Sequence, residues 1–302
     1  MLSTFLSQIV NGLVFGSLIG LIALGYTMVY GIIQLINFAH GEIFMVGAYG
    51  GLATYTFVLP TAWQGQWYIA LPLMLIAGAL VAMVIAVAME RFAYRPLRHA
   101  PRVAPLITAI GVSLILQNLM QLIVGTGDRK VPEIVPNVHI SIFGAEIRLI
   151  SLIIFVVAIG LMIGLQQFIG RTRLGRAMRA TAQDQQAAQL MGVDLNQTIA
   201  TTFLIGGALA GAAGVFQGQY FGFVRFDLGF SAGLKAFTAA VLGGIGNLTG
   251  AAIGGFMIAF IEVFAQAVGQ ARWSQAIVFV ILIVVLVFRP AGILGQQIGE
   301  RA

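Results

Sequence analysis

Long apolar runs separated by short polar stretches make up most of this sequence. A membrane-spanning helix needs about 20 mostly apolar residues to cross a hydrocarbon core of about 30 Å. Eight runs approach this length, at residues 6–30, 41–59, 68–89, 103–124, 149–169, 197–218, 250–268 and 274–288. A ninth run, 232–246, is short and glycine-rich, so it either crosses the membrane or enters and returns. The pattern predicts an all-α polytopic membrane protein with eight to nine transmembrane helices, in a single domain over residues 1–302.

Breaks within these runs are the next feature. The first run stays apolar to about Phe38, longer than an upright span requires, so we expect a tilt or a break near Gly25 or Gly31. Polar, glycine-flanked stretches at 31–42 and 243–250 predict broken or re-entrant segments, which in transporters mark the solute pathway. Glycines four residues apart, such as Gly12 and Gly16, indicate close helix packing or a glycine-lined passage.

Composition supports lipid as the main solvent. Hydrophobic residues make up 59% of the chain and charged residues 9%, against about 25% charged residues in a soluble domain. The net charge of +6 could suggest a nucleic-acid partner, but the cations are mostly arginines in short clusters between apolar runs. We therefore expect a lipid bilayer and no nucleic acid as a partner. The absence of cysteine excludes thiol chemistry and disulfides.

The arginines also predict the orientation. Residues 91–102 and 171–179 each carry four arginines and no acid, and two spans separate them, so both lie on one side. Positive loops favour the cytoplasm, which places 125–148, 219–231 and the N-terminus outside and the C-terminus in the cytoplasm. The first 90 residues contain no Lys or Arg, so the first run is predicted to be a retained span and not a signal peptide.

One polar segment between two spans has a helical pattern. Residues 176–191 contain neither Pro nor Gly, and Gly192 is a helix stop, so we expect one short cytoplasmic helix. Small or apolar side chains at Ala180, Ala187, Ala188 and Met191 form a stripe. The helix could rest on lipid headgroups or contact a protein, and the small alanines favour protein.

This segment carries a family resemblance. The residues at 175–180, 187–188 and 190–193 resemble the cytoplasmic coupling loop of ATP-binding-cassette import permeases, in the version of the branched-chain amino acid permease family. Stretches 23–42, 90–98, 235–246 and 290–295 are similar as well, and the resemblance is strongest to the smaller of the two permeases that such systems pair together.

The resemblance implies a transport subunit and not an enzyme, in a bacterial cytoplasmic (inner) membrane. It implies import of branched-chain or related small amino acids, with ATPase subunits, a second homologous permease and an extracytoplasmic solute-binding protein as partners. No cofactor is expected in this chain, since ATP and magnesium would bind the ATPase; accordingly no G-x-x-x-x-G-K-[ST] phosphate loop is present. Within a coupling segment at 171–196, the predicted ATPase contacts are Gly175, Arg176, Arg179, Ala180, Asp184, Ala187, Ala188 and Gly192.

Polar residues inside the apolar runs are the remaining candidates. Asn37, His40, Glu42, Asn247 and Glu262 either shape a gate or pathway, or cap broken helices and satisfy freed backbone groups. His40, His99 and His139 are far apart in the predicted topology, so no metal site is expected. The alternative function is a stand-alone secondary transporter or channel for a small polar solute such as urea or an amide.

Overall fold

Helices dominate the computed structural model, which describes residues 2–34, 37–98, 100–101, 103–142, 145–289 and 291–295. His99, Arg102 and Pro290 lie outside the described residues. The helices are α1 (Leu2–Ile33), α2 (His40–Ala53), α3 (Thr61–Gln64), α4 (Trp67–Met89), α5 (Val103–Val124), α6 (Leu149–Arg171), α7 (Arg173–Gln183), α8 (Gln185–Leu190), α9 (Leu195–Phe221), α10 (Leu228–Gly243), α11 (Leu248–Ala267) and α12 (Ser274–Phe288). A π-helical turn, Thr54–Val58, extends α2, and a second one, Glu90–Tyr94, extends α4.

Seven of the described helical segments are long and apolar enough to cross a membrane: Phe5–Ile33, Trp67–Leu97, Val103–Val124, Leu149–Arg171, Leu195–Phe221, Leu248–Ala267 and Ala271–Phe288. The other two predicted spans coincide with α2, which its π turn lengthens, and with the 16-residue α10. Each predicted span therefore coincides with a helix, and the all-α polytopic fold is confirmed.

The first break lies within the stretch predicted as broken, 31–42. α1 runs without interruption through Gly25 and Gly31, so the break is at neither of these glycines. The helix ends at Ile33, Gln34 takes a positive φ of 57°, and α2 starts at His40. The His40 imidazole lies directly against Gly25, about 12 Å back along α1 at 1.5 Å per residue. The chain therefore re-enters the bundle before α2 begins.

The short α10 completes a crossing. Its first turn lies in mid-bundle, where Gly229 contacts Gly41 of α2, and Gly246 beyond its end lies beside Gly31 of α1. α9 ends at the opposite side, where Phe221 packs on Phe15 with ring centroids 5.3 Å apart. Because α9 and α11 both start on the side where α1 ends, the chain between them crosses once. The 232–246 run is thus a crossing and not a return loop.

Small residues bring α1 and α11 together. The two helices run antiparallel, with Phe260 against Gly12, Phe256 against Gly16 and Gly255 against Gly20. A side chain at Gly12 or Gly16 would overlap this partner helix, and one at Gly20 would overlap Met162 of α6, so the four-residue glycine spacing serves close packing.

Two short antiparallel strand pairs lie in the loops predicted as external. β1 (Arg129–Lys130) pairs with β4 (Phe223–Val224), and β2 (His139–Ile142) pairs with β3 (Ala145–Arg148). These strands were not predicted from the sequence.

Both arginine clusters lie at one end of the bundle, as the charge pattern predicts. Arg98 Nη1 donates a hydrogen bond of 2.7 Å to Asn196 Oδ1 at the start of α9, directly after the coupling segment's helices. We call this end the arginine face, and the end with the strand pairs the opposite face.

Candidate functional site

The coupling segment forms two helices and not the single helix that the sequence predicted. Asp184 separates α7 from α8 with an extended backbone (φ −156°, ψ 111°). Its Oδ1 accepts hydrogen bonds from the backbone N–H groups of Gln186 at 2.9 Å and Ala187 at 3.0 Å. Asp184 therefore caps α8, which is the role that Asp plays at helix starts. Gly192, with φ +84°, ends this helical region as expected.

α7 is anchored tightly to the end of α6. Thr172 Oγ1 accepts from the Gly175 N–H at 3.0 Å and donates to the Phe168 carbonyl at 2.7 Å. A Cβ at Gly175 would collide with the Ile169 carbonyl oxygen, to which Arg179 also donates a hydrogen bond. Glycine at 175 is therefore required by the close approach of two backbones.

The outward side of the coupling segment is basic near its start and apolar at its tip. Arg176, Arg179, Asp184 and Ala187 are exposed, whereas Ala180 is half-buried and Ala188 is buried within this chain. Leu190 and Met191 are 89% and 85% exposed. The predicted stripe is therefore divided: Ala188 faces inward, and the apolar surface offered to a partner is Leu190 and Met191. Leu190 was part of the motif but was not predicted as a contact.

α8 is also bonded to the end of α1. Gln185 Nε2 donates a hydrogen bond of 2.8 Å to the carbonyl oxygen of Ile32, one of the last residues before the α1–α2 break. The terminal carbonyls of a helix have no partner within it, so this side chain satisfies one of them. The coupling segment and the break are thus in direct contact.

The break contains the predicted polar residues, each in a different contact. Asn37 Oδ1 accepts from the Tyr94 hydroxyl at 2.9 Å, and Glu42 Oε1 accepts from Ser113 Oγ at 3.1 Å. The His40 ring packs edge-on against Tyr26 with centroids 4.8 Å apart.

All three predicted side chains of the break are buried. Both His40 nitrogens, Asn37 Nδ2 and Glu42 Oε2 lack a hydrogen-bond partner among the described residues. An unpaired polar group at membrane depth costs free energy. These atoms are the polar groups of the break that remain available for a hydrogen bond.

The second break lies beside the first. Asn247 caps α11, because its Oδ1 accepts from the Gly250 N–H at 3.0 Å, while its Nδ2 donates to the Leu294 carbonyl at 2.8 Å. A narrow space of about 10 Å³, close to the room that one water molecule needs, lies between the two breaks, lined by Tyr26, Tyr30, Asn37, Phe237, Ala240 and Ile245. Its walls are aromatic and aliphatic, with a few hydroxyl and amide groups.

Glu262 has an ion-pair partner that was not predicted from the sequence. Lys235 lies in the middle of α10, and its Nζ is 2.6 Å from Glu262 Oε1. Gln266 Nε2 lies 3.5 Å from the same oxygen. The Lys235 and Glu262 side chains are 23% and 10% exposed, so the pair reaches the bundle surface.

A second ion pair lies in the loop predicted as external. Arg225 and Asp227 form an exposed ion pair, and the Asp227 carboxylate raises the pKa of Arg225 above its ordinary value through their hydrogen bond. A pair this exposed adds little stability. Among the described residues, no group of three His, Asp or Glu side chains could hold a metal ion.

A family model described as branched-chain amino acid transport system / permease component matches residues 8–286 of the chain. The chain belongs to this permease family. It is thus a multi-pass membrane transport subunit and not an enzyme.

Individual relatives agree with this family. The permease is 44% identical to the high-affinity branched-chain amino acid transport system permease protein BraD of Pseudomonas aeruginosa, covering 98% of both chains. It is 42% identical to the corresponding protein LivH of Escherichia coli, over 98% of this chain and 97% of that one. A probable branched-chain amino acid transport permease protein of Methanocaldococcus jannaschii is 29% identical over 94% of this permease.

Three residues of these contacts were not predicted as site residues. Tyr94 and Lys235 were noted as parts of motifs, and Ser113 was not singled out. Their partners are between 27 and 71 residues away in the chain, and no local pattern indicates them.

Proposed function

We propose that this permease is the membrane-spanning subunit of an ATP-driven, binding-protein-dependent importer that moves branched-chain or related small amino acids into the cytoplasm. The observation that carries the proposal is the coupling segment: it is exposed, ends in the uncovered pair Leu190 and Met191, and is bonded through Gln185 to the end of α1. The names of the 42–44% identical relatives support the solute class.

The proposed partners follow from the two faces. ATPase subunits, which would bind ATP and magnesium, dock on the arginine face at the coupling segment. The solute-binding protein docks on the opposite face, and a second homologous permease completes the passage. The membrane is the bacterial inner membrane, with the N-terminus outside and the arginine face in the cytoplasm, because positive loops favour that side.

Within the coupling segment, the proposed roles divide between contact and support. Arg176, Arg179 and Ala187 contact the ATPase together with Leu190 and Met191, since their side chains point outward. Asp184 and Gly192 shape α8, and Gly175, Ala180 and Ala188 hold the segment against the bundle.

Inside the membrane, Asn37, His40, Glu42 and Asn247 form the proposed cytoplasmic gate, because they surround the two adjacent breaks. Glu262 belongs to the passage together with Lys235. Charges that reach the surface at membrane depth are costly against lipid, so this face of α10 and α11 turns toward water or the second permease.

Reconstituted transport tests the proposal. The permease, its ATPase, the second permease and the binding protein are placed in liposomes, and leucine uptake is measured with and without ATP. Leu190→Gln with Met191→Gln should lower ATPase co-purification and uptake at least tenfold, since each buried apolar side chain contributes about 1.5–3 kcal/mol. Val138→Gln, at a half-exposed apolar position on the opposite face, is the matched control for ATPase co-purification.

Two results would contradict the proposal. One is uptake by the permease alone, driven by a proton or sodium gradient without ATP, which would favour the stand-alone carrier. The other is unchanged ATPase binding and uptake in the Leu190→Gln, Met191→Gln variant.

A further inference from the structure

We propose that Glu90, with Arg95 and Arg98, positions the coupling segment against α4 and transmits its displacement to the α1–α2 break through Tyr94. This inference rests on the proposed function, because it concerns how a movement of the coupling segment reaches the gate.

Glu90 is the centre of a buried charge cluster. Its carboxylate is fully buried at the end of α4, and Arg95 donates to it from Nη2 at 3.1 Å and from Nε at 3.3 Å. Arg98 Nη2 donates to Glu90 Oε1 as well. One carboxylate therefore fixes two guanidinium groups that would otherwise extend into solvent.

Arg98 extends this cluster to the coupling segment. While its Nη2 is held by Glu90, its Nη1 donates to Asn196 Oδ1 at 2.7 Å. Asn196 is the second residue of α9 and follows α8 after the Gly192 turn. Because the planar Arg98 guanidinium bonds Glu90 and Asn196 at once, a shift of the coupling segment displaces the end of α4.

Tyr94 links the same turn to the break. Its buried hydroxyl donates to Asn37 Oδ1 at 2.9 Å, and its ring lies 5.5 Å from that of Phe203 in α9. Glu90 and Tyr94 begin and end the π-helical turn, and both are buried, while Phe92 between them is 77% exposed. Single π turns are rare and recur at functional sites.

Two connections therefore run from the coupling segment to the two sides of one break. Gln185 bonds the last turn of α1, and the Arg98–Glu90–Tyr94 chain bonds Asn37 just before α2. A rigid-body shift of the coupling segment relative to α4 changes the separation of these two points. A buried ion cluster usually stabilises a protein no more than apolar side chains of the same size would. The position of the Glu90 cluster between α4 and the coupling segment therefore explains it better than a contribution to stability does.

Variants in the complete importer test this transmission. Tyr94→Phe removes only the hydroxyl, and Arg98→Lys keeps the charge but loses the planar guanidinium whose two nitrogens bond Glu90 and Asn196 separately. Each should leave assembly and the ATP hydrolysis rate near wild type and lower the amino acid molecules moved per ATP about fivefold. Tyr68→Phe, at a tyrosine that is 61% exposed in α4, is the matched control.

A double-variant cycle separates transmission from simple loss of stability. If Tyr94 acts through Asn37, Asn37→Leu with Tyr94→Phe lowers the molecules moved per ATP no further than either single change. Thermal unfolding of the Tyr94→Phe permease should stay within a few degrees of wild type.

The outcomes also distinguish this inference from the proposed function. Wild-type uptake that needs no ATP removes the proposed function itself. Wild-type uptake that needs ATP, combined with an unchanged transport-to-hydrolysis ratio in Tyr94→Phe and Arg98→Lys, overturns only the transmission through Glu90. Additive losses in the double variant overturn it as well.

Discussion

Lys235 and Glu262 show at the residue scale how this permease keeps charge at membrane depth. Lys235 Nζ and Glu262 Oε1 are 2.6 Å apart and pair opposite charges, and Gln266 Nε2 lies 3.5 Å from the same oxygen. Glu42 is held differently: among the described residues it has no cation partner, and its Oε1 accepts a hydrogen bond from Ser113. The Glu262 carboxylate thus has a charged partner, whereas the Glu42 carboxylate has a neutral hydroxyl partner.

Removing one member of the pair should be worse than removing both. Lys235→Met leaves an unpaired carboxylate and should destabilise the permease by about 3 kcal/mol, whereas Lys235→Met with Glu262→Met should recover most of that loss. Thermal unfolding in detergent measures both. If the double variant unfolds as early as the single one, the loss of stability does not come from the carboxylate left unpaired.

At the element scale, the coupling segment depends on how closely α7 approaches α6. A methyl group at Gly175 meets the Ile169 carbonyl oxygen, whereas a methyl group at Gly170 meets no atom within 4 Å. Both residues lie on the arginine face within two turns of each other, so they form a matched pair.

Gly175→Ala should therefore displace α7, at a cost of about 2 kcal/mol from overpacking, and weaken ATPase co-purification. Gly170→Ala should leave co-purification unchanged, since the added methyl has open space. Equal behaviour of the two variants in a pull-down from solubilised membranes would show that the position of α7 does not matter for docking.

The sequence predicted these elements unevenly, for physical reasons. Membrane spans can be predicted from hydropathy alone, because a helix needs about 20 apolar residues to cross the bilayer whichever helices pack against it. The stretch that holds the first break was predicted but its exact position was not, because Gly31 is tolerated inside a packed helix and Gln34 takes the positive φ. The capping role of Asp184 was not predicted, because it depends on the backbone angles of the turn. Contacts such as Tyr94–Asn37 depend on how distant helices pack, which no local pattern encodes.

At the scale of the whole molecule, the absence of cysteine gives a direct test of orientation. Met191→Cys on the arginine face and Val138→Cys on the opposite face each introduce one exposed thiol. A membrane-impermeant maleimide applied to intact spheroplasts should label Val138→Cys and should label Met191→Cys only after the membrane is opened. The reverse labelling pattern would invert the proposed topology.

Leu190 and Met191 also bear on the life of the subunit before assembly. Exposed apolar side chains in water are what chaperones and proteases recognise in unfinished proteins. A permease made in excess of its ATPase would present this tip unprotected, so we expect its cellular half-life to be short until the partner covers it. The same two residues would then match the amount of permease in the membrane to the supply of its partner.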